Sequence, residues 1–119
     1  MDVVVITFDG GIEDFPALIQ TVDNQIADGT RRLAIDMATL PFINSAALGY
    51  LIRAQKAMEE NEGEMALCQL QPALVQILEM TNLDTMFPAF ATVEEAISYL
   101  GGDPSRVNDG GGWRKAEWR

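Results

Sequence analysis

Histidine is absent from all 119 residues, and cysteine occurs once, as Cys68. With no imidazole and a single thiol, transition-metal centres and histidine-based acid–base catalysis have no ligands or bases to use. One cysteine cannot form an internal disulfide, and in an apolar setting it reads as a buried structural thiol. Long hydrophobic runs are missing too: the longest fall far below the roughly 20 residues that a membrane helix needs. No basic segment followed by an apolar one opens the chain, so no signal peptide is expected and a cytoplasmic location is the default. Basic residues are scarce, 8 against 18 acidic ones, for a net charge of −10. That balance argues against nucleic acid as the main partner. It suits solubility, or a basic partner protein. Neither a glycine-rich phosphate loop with a lysine nor a Gly-x-Ser-x-Gly elbow is present. An enzyme is therefore not expected, and no metal or cofactor is implied.

Hydrophobic residues nonetheless make up 48 % of the chain, enough to bury one core in one domain. Val3-Val4-Val5-Ile6, extended by Thr7 and Phe8, is a β-branched run and reads as a well-covered strand. Asp9-Gly10-Gly11 turns the chain. Pro16 suits a first helical turn, with Glu13 and Asp14 as acids just before it, and Gly29 stops that helix. Leu33-Ala34-Ile35 begins a second buried strand that ends at Asp36. Glu64–Gln69 is a third, with Met65 and Leu67 on one face and Ala66 and Cys68 on the other. Pro72 opens a helix with Leu74, Ile77, Leu78 and Thr81 inward, and Asn82 takes a left-handed cap. Met86 to Phe90 is a short edge strand at best. Thr92 to Glu95 fits a capping box for a last helix with Ala96, Ile97 and Leu100 inward. Strands alternating with helices imply an α/β sandwich built from crossover units.

Between the second and third strands lies the most informative stretch. Pro41 forces a loop, and Asn44-Ser45 supplies cap-type side chains ahead of an apolar helical stripe, Ala47, Leu48, Leu51, Ile52, Gln55 and Met58. Ser45 thus sits at or beside a helix N-cap, where unpaired N–H groups and the helix dipole favour negative charge. A hydroxyl there caps a helix; a phosphate there would be tolerated without unfolding it.

Residues 42–49, F-I-N-S-A-A-L-G, resemble the F-[IVM]-D-S-[SA]-G-L-G signature of STAS domains, in particular those of bacterial anti-sigma factor antagonists. Gly63 to Cys68, then Pro72-Ala73-Leu74 and Leu78 to Leu83, are similar to the family's next strand and third helix. Gly10-Gly11-Ile12-Glu13 is similar to its Gly-x-Leu-Asp step, with Glu13 in the acidic position. The resemblance runs from about Val3 to Leu100. It implies a small mixed or mostly parallel β-sheet with helices packed mainly on one side. Three departures stand out. The family's Asp before the serine is Asn44, its Ser-Gly or Ala-Gly is Ala46-Ala47, and its first strand is missing, which leaves a sheet edge open and would favour a homodimer.

By resemblance, the chain would bind an anti-sigma factor of the serine-protein-kinase type and so free a sigma factor. The kinase would switch it off by phosphorylating the signature serine, Ser45, and a phosphatase would reset it. Asn44, Ser45, Ala46, Ala47, Leu48 and Gly49 would form the contact surface, with Glu13 and Asp36 nearby. The plainer readings are an N-cap for Ser45, a strand-end turn for Asp36 and a first-turn acid for Glu13. Alternatives of function are a phosphorylation-independent STAS docking module in a transporter or signalling assembly, and a small-ligand carrier using the strand-end cleft. No direct membrane insertion is expected.

The last expectation concerns residues 101–119. They hold five of the ten glycines, both tryptophans and a net charge of +1, while the rest of the chain carries −11. Set apart from a domain over 1–100, they read as a flexible Gly-rich tail. Trp113-Arg114-Lys115 and Trp118-Arg119 would suit either an anionic partner or folding back on the acidic body.

Overall fold

The computed structural model describes residues 3–107 and 111–118; Arg119 of the expected Trp118-Arg119 cluster lies outside them. The β-branched run becomes β1, Val3–Thr7. It is followed by a short 3-10 turn, Ile12–Asp14, and by α1, Phe15–Ala27. Then come β2, Arg32–Asp36, α2, Ser45–Glu60, and β3, Glu64–Cys68. Helix α3 spans Pro72–Met80, β4 is only Ala89–Phe90, α4 spans Val93–Tyr99, and β5 is Trp113–Ala116. The strands form one sheet in the order β4-β3-β2-β1-β5, and every neighbouring pair is parallel. The mixed-or-parallel expectation thus resolves to parallel throughout.

Parallel strands need both faces covered, and the residue sizes decide what covers each. Val4, Ile6, Leu33, Ile35, Met65 and Leu67 point to one face, where they bury Phe15, Leu18 and Val22 of α1, Leu51 and Met58 of α2, and Leu74 and Leu78 of α3. Val3, Val5, Ala34, Ala66 and Cys68 point to the other, against Ala96, Ile97 and Leu100. Small side chains at the centre of that second face let the single short helix α4 sit close. Each fully buried Val, Leu, Ile or Phe contributes about 1.5–3 kcal/mol relative to exposure.

Local signals behave as their chemistry dictates. Gly29 and Gly101 end helices at φ +93° and +91°, and Asn82 takes φ +59° after α3. Thr92 Oγ1 caps α4 by accepting from Glu95 N–H at 3.1 Å. The inner stripe of α1 starts with Phe15 and continues through Leu18, Ile19 and Val22, while Ala17 is exposed.

The main correction falls at the C-terminus. Residues 113–116 are not part of a flexible tail. They form β5, paired with β1 from Val3↔Trp113 to Ile6↔Ala116. β1, expected at a sheet edge, is an interior strand, and β5 forms that edge of the sheet. Glycine misled the reading because here it serves close approach. A Cβ on Gly102 would lie 2.7 Å from the Gly112 carbonyl oxygen and 2.9 Å from Val3 Cγ2. Trp113 Nε1 donates to the Pro104 carbonyl at 3.1 Å, which binds the connecting loop to the strand.

Candidate functional site

Because all five strands run the same way, the segments that leave β1, β2, β3 and β5 emerge at one edge of the sheet. Hydrogen bonds stitch these exits together. Phe8 N–H donates to Asp36 O at 2.8 Å, and Met37 N–H to Cys68 O at 3.1 Å. Thr39 Oγ1 donates to Phe8 O at 3.3 Å, and Gln71 Nε2 to Ala38 O at 2.9 Å. The loop from Met37 to Asn44 is thus held from both sides before α2 begins, and Met37, Leu40 and Ile43 anchor it in the core.

At the start of α2 the two polar residues divide the roles. Asn44 is the N-cap: its Oδ1 accepts from Ala47 N–H at 2.9 Å. Ser45 is the first helical residue and is exposed. The capping role read as an alternative for Ser45 belongs to Asn44, so the Ser45 hydroxyl is presented to solvent at the positive end of a 16-residue helix. Ala46 is exposed beside it, and Leu48 and Gly49 are half-buried. A Cβ on Gly49 would meet nothing within 4 Å, so its surface is bare backbone open to solvent.

Two expected contact residues lie elsewhere. Ala47 is 1 % exposed and packs in the core, so its methyl faces the sheet rather than a partner. The helical period dictates this: the position falls on the same stripe as Leu51, Ala54 and Met58. Asp36 is 8 % exposed. Its Oδ1 accepts from Ala38 N–H at 3.0 Å and its Oδ2 from Gln69 Nε2 at 2.8 Å. It organises the loop from beneath, and the strand-end-turn reading describes it. Glu13 is exposed on the 3-10 turn after β1, at the same edge.

Gln69, which the sequence alone did not single out, joins Phe42 and Trp118 around the site. Gln69 holds Asp36 from the end of β3 in a left-handed conformation, φ +56°, that a non-glycine residue adopts only at some cost. Phe42 is 51 % exposed, two residues before the Asn44 cap and three before Ser45. Trp118 meets the loop after β1. The exposed aromatic two residues before a cap was the one visible signal; the other contacts come from distant segments. Cys68, by contrast, is inert: burial first, then the Asp36 and Glu94 carboxylates, pushes its thiol up to about 12.

The STAS domain profile matches residues 2–96. The chain belongs to the STAS family. A relative named as an anti-sigma factor antagonist, BtrV of Bordetella bronchiseptica, is 31 % identical over 72 residues, 60 % of this chain and 62 % of the relative. The STAS chain therefore matches about three fifths of that relative's length. Among solved structures, an anti-sigma factor antagonist from Thermotoga maritima superposes with TM-score 0.72 at 22 % identity, covering 82 % of this chain and 86 % of the other. A sulfate transporter family protein from Wolinella succinogenes gives TM-score 0.71 at 17 % identity, covering 82 % and 84 %. These two likenesses show the shared STAS fold. Among the described residues no helix is long and apolar enough to cross a membrane.

Proposed function

We propose that this STAS protein is a regulatory binding protein that docks a serine-kinase-type anti-sigma factor, frees a sigma factor, and is switched off by phosphorylation of Ser45. The observation that carries the proposal is the division of labour at α2: Asn44 makes the cap hydrogen bond, and the exposed Ser45 hydroxyl heads the helix. A kinase can modify that hydroxyl without removing the cap. A phosphate adds about −1.5 to −2 charge at pH 7, which the helix N-terminus stabilises while a packed interface beside it is disrupted. The docking surface comprises Glu13, Asn44, Ser45, Ala46, Leu48 and Gly49, with Phe42 as its apolar member. Asp36 and Ala47 support it from below.

The test is phosphosite mapping on the protein isolated from its own cells after cross-linking, which also recovers the kinase. Phosphate on Ser45, carried by the tryptic peptide 33–53, supports the switch. Full coverage of that peptide without phosphate under growth and stress conditions overturns it. A phosphorylation-independent docking module would then be the better reading. Asn44 in place of the signature Asp favours that second reading. The carrier reading is tested by native mass spectrometry of the purified chain. An open depression of about 610 Å³ lies beside α3, lined by residues that include Leu70, Pro72 and Val75. Ser45 is not among the residues that line it.

A further inference from the structure

The chain does not stop at the ladder of β5. Trp118 lies two residues beyond the last paired residue, Ala116, and is 6 % exposed. Its ring stands edge-on to Phe8, with centroids 5.0 Å apart, and Phe8 stands edge-on to Phe15 at 5.1 Å. Its indole N–H donates to Asp9 Oδ1 at 2.9 Å, and its carbonyl accepts from Thr21 Oγ1 at 2.5 Å. A buried indole with a partnered N–H is a fixed, directional contact. The ring is pressed against the backbone of the next residue: a Cβ on Gly10 would lie 2.9 Å from the indole Cη2. Asp14 Oδ2 then closes the same loop by accepting from Gly11 N–H at 2.9 Å. Glu13 lies within that closed turn, between Gly11 and Asp14.

We infer that Trp118 is a positioning residue for the docking surface. It clamps the loop of residues 8–14, which carries Glu13 of the proposed docking surface. The inference rests on the docking reading above. A strand that only sealed a sheet edge would need the four-residue ladder of β5 and nothing after it. Trp118 grips a loop instead, from the far end of the chain, through a ring contact, an indole hydrogen bond and a main-chain hydrogen bond.

The experiment compares amide hydrogen exchange of the full chain with Trp118→Ala, Trp118→Phe and Thr21→Val. In Trp118→Ala, exchange at residues 8–14 should rise about tenfold or more while β2 and β3 stay within about twofold. Thr21→Val should move the same loop by less. Trp118→Phe, which keeps a ring against Phe8, should restore part of the protection. The same variants are then titrated with the purified kinase-type anti-sigma factor identified by its phosphorylation of Ser45. Trp118→Ala should weaken Kd about fivefold or more, and Ile97→Val, on the opposite face of the sheet, should leave it unchanged. Unchanged exchange at 8–14, or a rise spread evenly over the sheet, overturns the inference. So does a loosened loop with unaltered Kd; in that case a loss of binding in Ser45→Asp shows that the docking reading itself stands. Should Trp118→Ala fail to fold, Thr21→Val and Trp118→Phe carry the same comparison.

Discussion

Two side chains at the head of α2 divide the capping and the exposed hydroxyl between them. Asn44 makes the cap hydrogen bond, so Asn44→Ala should cost about 1 kcal/mol, which thermal denaturation would read as a drop of about 4–8 °C in a domain near 100 residues. Ser45→Ala should stay within about 0.5 kcal/mol, because its exposed hydroxyl is not the cap. Ser45→Asp places a carboxylate at the positive helix end and should hold or raise the melting temperature while weakening the partner. A large destabilisation by Ser45→Ala would contradict the geometry. Cys68 gives a pH prediction. Its folded value is raised from 9.0 to about 12, so the fold favours the neutral thiol. The stabilisation is complete below pH 9 and is lost as pH rises toward 12, at up to about 1.4 kcal/mol per pH unit. Denaturant melts of wild type and Cys68→Ala above pH 9 should diverge in slope, the variant being flatter.

The element that does most is α2, because its two ends of sequence information serve different masters. Its buried stripe, Ala47, Leu51, Ala54 and Met58, fixes it on the sheet, and its exposed head carries the docking surface proposed above. Gly49 shows the tension. Open space surrounds its missing Cβ, so packing does not require glycine there. Gly49→Ala should add about 0.5–1 kcal/mol of helix stability. If a partner approaches that bare backbone, the same methyl should weaken binding. Melting and titration of one variant read both effects, and a stabilised protein with unchanged affinity would remove Gly49 from the surface.

At the level of the whole molecule, the C-terminal segment completes a sheet that would otherwise end at β1. Deleting residues 103–119 exposes the N–H and C=O row of β1 together with Phe8, one of the largest fully buried side chains. The truncated chain should melt lower and self-associate with rising concentration, as exposed edges do. Light scattering after size-exclusion chromatography checks this; a monodisperse monomer of unchanged stability would mean that β5 is dispensable. The charge asymmetry fits the same picture, since a net-positive segment lies on an acidic body. Arg114 Nη2 donates to Gln25 Oε1 at 3.2 Å, and the Trp118 indole N–H donates to Asp9 Oδ1 at 2.9 Å.

Periodicity and punctuation determined the order of elements from β1 to α4, the two faces of β3, the left-handed Asn82 and the Thr92 cap, while the resemblance of residues 42–49 to the STAS signature pointed to the family. These depend on neighbours within about four residues, where propensity and spacing act directly. What lay beyond sequence reach depends on partners far along the chain. Ser45 and Asn44 are both good caps, and only the path of the 37–44 loop, held by contacts to Phe8 and Gln71, decides which of them caps. Ala47 and Asp36 changed from contact residues to supports because burial is a property of the packed sheet. The glycines near the C-terminus look like a linker, yet at Gly102 and Gly112 backbone meets backbone. A parallel strand pair forms at long sequence separation, and no local signal in Trp113–Ala116 names β1 as its partner.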